Sequence, residues 1–165
     1  MARINHSVSS KLIAFVLLLV FSALTAHAQK AVPSKTEGFL KGSTIPHTKV
    51  QKDIWQLHFE GKALKKFYVV ATEGDGYIIL FATVALQNEY KPSPELTKKL
   101  LKTAWNTDRV KIGLNDEDAI IVRIDLSLRV TDKREFTECV DQVAAVTDQV
   151  FEAVKPFLAS TEKPG

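Results

Sequence analysis

A chain of 165 residues with 22 Lys+Arg, 19 Asp+Glu and one cysteine can form one domain-sized core and no internal disulfide. Two of its basic residues, Arg3 and Lys11, fall in an N-terminal leader, so the remainder carries 20 basic against 19 acidic residues. That near-neutral balance removes the charge argument for nucleic acid, and no nucleic-acid partner is expected.

The leader has three parts. Met1 to Lys11 carries Arg3 and Lys11 and no acid, Leu12 to Leu24 is apolar except for Ser22, and Ala26-His27-Ala28 places small residues where a signal peptidase reads. This is the pattern of a signal peptide over residues 1–28. The apolar run is shorter than the ~20 residues that span a bilayer, and no cysteine follows it to take a lipid. The expectation is an exported protein, periplasmic or extracellular, with no stable membrane anchor after cleavage.

Residues 29–53 are polar, with Pro33, Gly38, Gly42 and Pro46 spread through them. They read as a flexible tether with at most one short turn of helix. The organised domain is expected over 54–159, with 160–165 as a disordered tail.

Within that domain, Ile54 to Glu60 alternates, with Trp55, Leu57 and Phe59 on one side and Gln56, His58 and Glu60 on the other. That is a half-buried strand. Gly61-Lys62 marks a turn, and Leu64 to Glu73 supplies a second strand. Glu73-Gly74-Asp75-Gly76 is a hairpin connection. Tyr77 to Leu86 is apolar on both faces, so it reads as a central strand. Ser93 is placed to cap a short helix, with Pro94 at its first position and Glu95 at the positive end of its dipole. Leu96, Leu100, Leu101, Ala104 and Trp105 recur there at helical spacing.

Val110 to Leu114 alternates as a fourth strand, and Ala119 to Val130 as a fifth and longest. On the fifth, Ile120, Val122, Ile124, Leu126, Leu128 and Val130 face one way, and Ile121, Arg123, Asp125, Ser127 and Arg129 the other. Asp132 begins the last helix, with Glu135 three residues on. Phe136, Val140, Val143, Thr147, Val150 and Val154 recur along it until Pro156 stops it. Cys139 lies on the same stripe and reads as a buried apolar residue. The order β-β-β-α-β-β-α predicts an α+β domain with an antiparallel sheet of about five strands and two helices on one face.

The chemistry-bearing residues are sparse. After the leader only His47 and His58 remain, and with a lone cysteine they do not make a metal site by spacing. No H-E-x-x-H, P-loop or G-x-S-x-G occurs. Asn115-Asp116-Glu117-Asp118 lacks the glycine and terminal glutamate of a calcium loop. The reading is therefore non-enzymatic, with no cofactor and no metal. Lys98, Lys99 and Lys102, joined by Lys91, form a basic patch facing solvent, anionic lipid or an acidic partner. Arg123, Asp125 and Arg129, at spacings of two and four on the long strand, are the candidate partner-binding surface. Trp55, Phe59 and Trp105 are read as core.

Ile54-Trp55-Gln56-Leu57-His58-Phe59-Glu60-Gly61-Lys62, then Lys111-Ile112-Gly113-Leu114-Asn115-Asp116-Glu117-Asp118 and the alternating strand to Arg129, resemble the YbjN-type domain. That is a family of bacterial sensory transduction regulators within the type III secretion chaperone-like fold. The resemblance covers about residues 53–158. It implies a convex antiparallel sheet with helices, often dimeric and used to bind protein, and it carries no catalytic residues. That fold begins with a helix, whereas 29–53 shows no convincing helical pattern. The expected function is an exported protein-binding, chaperone-like or regulatory domain with a protein partner. The resemblance alone raises a homodimer. The alternative is a small-ligand or lipid carrier with a pocket between sheet and helices.

Overall fold

A computed structural model of the chain describes residues 33–159. The expected signal peptide, the first four residues of the tether and the 160–165 tail lie outside the described residues. Among these residues three α-helices and six strands follow one another: α1 (Lys35–Leu40), β1 (His47–Gln51), β2 (Ile54–Phe59), β3 (Phe67–Gly74), β4 (Tyr77–Ala85), α2 (Pro94–Trp105), β5 (Lys111–Leu114), β6 (Ile120–Ser127) and α3 (Lys133–Val154). The strands form one antiparallel sheet in the order β1-β2-β3-β4-β6-β5. The first four make a meander. The chain then crosses through α2 to the far edge and returns as β6 beside β4.

The expected strands are present, and β3 and β4 are the central pair. Asp75 and Gly76 join them with φ of 51° and 83°. Both residues sit in the left-handed region that a two-residue hairpin turn requires, which Gly and Asp adopt most easily. The sheet has one strand more than the sequence pattern showed. Residues 29–53 are not simply a tether, because their described part carries α1 and β1. Every residue of β1 is exposed, so this edge strand has no half-buried alternation to read. Lys49 nevertheless sits opposite Trp55, with its ammonium 5.3 Å from the indole centroid.

Helix α1 supplies the helix with which this fold begins. The Ser34 hydroxyl accepts the Glu37 N–H at 3.1 Å. Glu73, at the end of β3, takes the Ser34 hydroxyl at 2.7 Å and the backbone N–H of Thr36 at 2.7 Å. Burial pushes the Glu73 carboxyl up. These hydrogen bonds outweigh it and hold the group below its ordinary value. Thr36 and Leu40 are the buried residues of α1, and Phe39 lies 5.4 Å, ring to ring, from Phe136 of α3.

All three helices pack on one sheet face. Helix α3 covers β3, β4 and β6, α2 packs on α3 and β5, and α1 on β3. Paired residues share a face, so Trp55, Ala71, Leu80 and Ile124 form a continuous buried row under Val140, Val143 and Val150 of α3. Cys139 is fully buried as expected, and burial raises its thiol pKa.

Three expectations are corrected. The long strand ends at Ser127 rather than Val130, because the N–H groups of Val130 and Thr131 turn back to the Ser127 carbonyl. Val130 is 70% exposed. Trp105 is not core but 89% exposed. Leu96, Leu100 and Ala104 form the inner side of α2, and Trp105 lies one helical step of about 100° beyond Ala104. Phe59 is only partly buried, packed against the core margin.

Candidate functional site

The sheet face opposite the helices carries alternate residues of each strand, and one register row crosses all six. Thr48 pairs with Gln56, Gln56 with Val70, Val70 with Phe81, Phe81 with Arg123, and Arg123 with Lys111. A second row runs from Ile54 through Thr72 and Ile79 to Asp125. Val70, Ile79, Phe81 and Ile121 are half-buried only by their neighbours on this face. Tyr68 and Tyr77 are 50% and 52% exposed, and the His58 ring meets Tyr68 edge-on at 5.0 Å. An apolar centre ringed by aromatic and polar side chains is therefore open to solvent.

At one end of that face the carboxylate of Asp125 is shared between two cations. Arg123 Nε donates to Oδ1 at 2.6 Å and Lys111 Nζ to Oδ2 at 2.6 Å. Lys111 and Arg123 stand directly opposite on β5 and β6, an arrangement that repels unless an acid lies between them. Burial pushes the Asp125 carboxyl up, and the bonds and charges of Lys111 and Arg123 outweigh it, leaving the group below its ordinary value. Lys111 is well exposed and Arg123 moderately so, which makes this fork worth little to folding. Lys111, Arg123 and Asp125 line a recess of about 570 Å³ together with Thr72, Tyr77 and Ile79.

Arg123 and Asp125 thus come together as their spacing implies. Arg129 does not join them. It lies exposed in the turn after β6, off the ladder. Lys111 takes the place Arg129 was expected to fill. Its membership depends on the pairing of β5 with β6, which no local spacing reveals.

A second open surface lies on α2. Pro94, Lys98, Leu101, Lys102 and Trp105 line a shallow recess of about 710 Å³. Between α2 and β5 lies a smaller cavity of about 210 Å³ whose walls include Tyr90, Leu96, Leu100, Ile112 and Leu114. Among the described residues, no three His, Cys, Asp or Glu side chains converge as a metal site would need.

No protein-family model and no curated protein sequence matches the chain. Among solved structures, YbjN from E. coli, a candidate transcription regulator, is similar over 78% of this chain and 97% of its own, at 20% identity and a TM-score of 0.55. A chain of the heterodimeric ExoU-SpcU complex from the type III secretion system of Pseudomonas aeruginosa is similar over 72% of this chain and 97% of its own, at 14% identity and a TM-score of 0.51. Likeness at such identity is likeness of architecture, and the six-stranded sheet with its helices on one face has the YbjN-type, type III secretion chaperone-like fold.

Proposed function

We propose that this protein is an exported, non-enzymatic domain, chaperone-like or regulatory, that binds another polypeptide on the open face of its sheet. The observation that carries the reading is the face itself: six strands wide, apolar at the centre, without helix cover among the described residues, and ending in the Lys111–Asp125–Arg123 fork. An extended segment laid across it would bury Val70, Ile79 and Phe81, and the fork would hydrogen-bond its carbonyl or carboxylate groups. One of the structural neighbours is a chain of a heterodimer, which supports a protein partner for this fold. Export rests on the leader pattern of residues 1–28.

The carrier reading is less well supported. The recess between α2 and β5 is about 210 Å³, below the ~300–1,000 Å³ of small-molecule sites.

The test is purification of the tagged protein from its own host after gentle crosslinking, with mass spectrometry of what accompanies it. A stoichiometric polypeptide is expected. Arg123→Ala together with Asp125→Ala is expected to reduce its recovery about tenfold or more, as loss of charge-assisted contacts of ~1.5–3 kcal/mol implies, while the melting temperature stays nearly unchanged. Undiminished recovery from the double variant would remove the fork from the binding surface.

A further inference from the structure

The outer side of α2 is unaccounted for by the fold or by the sheet-face reading. Leu101, Lys102 and Trp105 lie three, four and seven residues after Lys98, so the four share one stripe of the helix. Leu101 is 67% and Trp105 89% exposed. The inner side of α2 already has its contacts through Leu96 and Leu100. The exposed pair is therefore surplus to the core. Beside it lie Lys98, Lys99 and Lys102, and none of them is in an ion pair among the described residues. Lys99 instead holds its ammonium 5.6 Å from the Phe157 ring centroid. The one acid on the helix is Glu95.

We propose that this stripe docks the domain peripherally on an anionic phospholipid surface. Two properties decide the occupant. The apolar part is a tryptophan and a leucine side by side, and tryptophan favours the boundary where its ring meets acyl chains and its N–H meets headgroups. The flank is cationic, and its lysines have no ion-pair partner among the described residues, which favours an anionic surface. A second copy of the chain is a poorer occupant, because an isologous contact on this stripe sets the lysines of one protomer against those of the other. The mode is interfacial. Among the described residues no helix is long and apolar enough to cross a membrane.

The experiment uses the protein from Gln29 to Gly165, which contains every described element and the whole buried core, so that the apolar Leu12–Leu24 run contributes nothing. It is mixed with vesicles of phosphatidylcholine plus phosphatidylglycerol, and with phosphatidylcholine alone, and followed by co-sedimentation and tryptophan emission. The chain has two tryptophans, and Trp55 is buried at 2% exposure, so a blue shift on binding reports Trp105. Binding is expected to the anionic vesicles only, to weaken with salt, and to fall about fivefold for each lysine in Lys98→Gln and Lys102→Gln. Trp105→Ala is expected to abolish the shift with the circular dichroism unchanged. Three results would overturn the proposal: no sedimentation with anionic vesicles, equal binding to neutral ones, or a blue shift that grows with protein concentration alone as the mass doubles. Retention on polyglutamate without binding to vesicles would overturn it too, and assign the stripe to an acidic polypeptide.

Discussion

Phe136→Ala is expected to destabilise the domain by about 3–5 kcal/mol, the range for removing a large buried aromatic ring. Phe136 is 1% exposed and lies in the first turns of α3, where its ring meets Phe39 of α1 at 5.4 Å. The side chain therefore fills core volume and fastens the N-terminal helix to the longest one. A six-residue helix has little stability of its own, so α1 depends on this contact, on Leu40 and on the Glu73 carboxylate. Urea unfolding is the measurement, read as a fall in midpoint with the slope unchanged. Phe136→Leu, which keeps most of the volume, is expected to cost no more than about 1.5 kcal/mol. A loss below about 1 kcal/mol for Phe136→Ala would mean that the site collapses readily, and the packing described for α1 would be wrong.

The second large effect is expected where Asp148 of α3 organises the loop between β2 and β3. Its carboxylate accepts the backbone N–H groups of Lys62 at 3.0 Å, Ala63 at 2.9 Å and Leu64 at 2.8 Å. The loop closes on itself where Gly61 N–H donates to the Leu64 carbonyl at 2.9 Å. Glycine is required at 61 for room: a Cβ there would overlap Asp148 Oδ1 and stand 2.6 Å from its Cγ and 2.9 Å from the Leu64 oxygen. Gly61→Ala is expected to cost about 2–3 kcal/mol, as for other overpacked sites. Asp148→Asn keeps the shape but turns an amide donor toward backbone donors, and about 1.5–3 kcal/mol is expected from the lost charged hydrogen bonds. The Leu64 N–H, ahead of an opposing burial effect and the Lys62 and Ala63 N–H groups, holds the Asp148 carboxyl below its ordinary value. A carboxyl lowered in the folded state stabilises fully above its unfolded pKa and loses that contribution as pH falls through its folded pKa. The gap between parent and Asp148→Asn in urea titrations is therefore expected to be widest near neutrality and to narrow in acid. A gap independent of pH would show that the charge on Asp148 does not hold the loop.

Much of this architecture is legible in the chain because burial writes its period into the sequence. Strands β2 and β6 alternate, β3 carries the apolar run Phe67 to Ala71, β4 is apolar on both sides, and α3 repeats every three or four residues. What escaped reading buries little or depends on distant partners. Strand β1 is wholly exposed, and α1 spans too few turns for a period to appear. The alternation Leu126, Leu128, Val130 runs past the end of the β6 ladder, which carried Arg129 onto a face it does not occupy. Trp105 sits close enough to the Leu96–Leu100–Ala104 stripe to share its pattern while pointing elsewhere. Of the fork, Arg123 and Asp125 are visible at a spacing of two, whereas Lys111 enters through strand register. Asp148 gave no local signal, because the N–H groups it holds are 84 to 86 residues away.

The claim that the open sheet face receives a polypeptide is tested most directly by placing a photo-crosslinking phenylalanine analogue at Tyr68 or Tyr77, both on that face, and at Gln149, exposed on α3, as the control. After irradiation in the native host, one dominant adduct with a single polypeptide is expected from Tyr68 and Tyr77. That adduct is expected to be absent from Gln149 and lost when Arg123→Ala and Asp125→Ala are added. Crosslinks from Gln149 equal to those from the sheet positions, or none from the sheet positions at all, would contradict it.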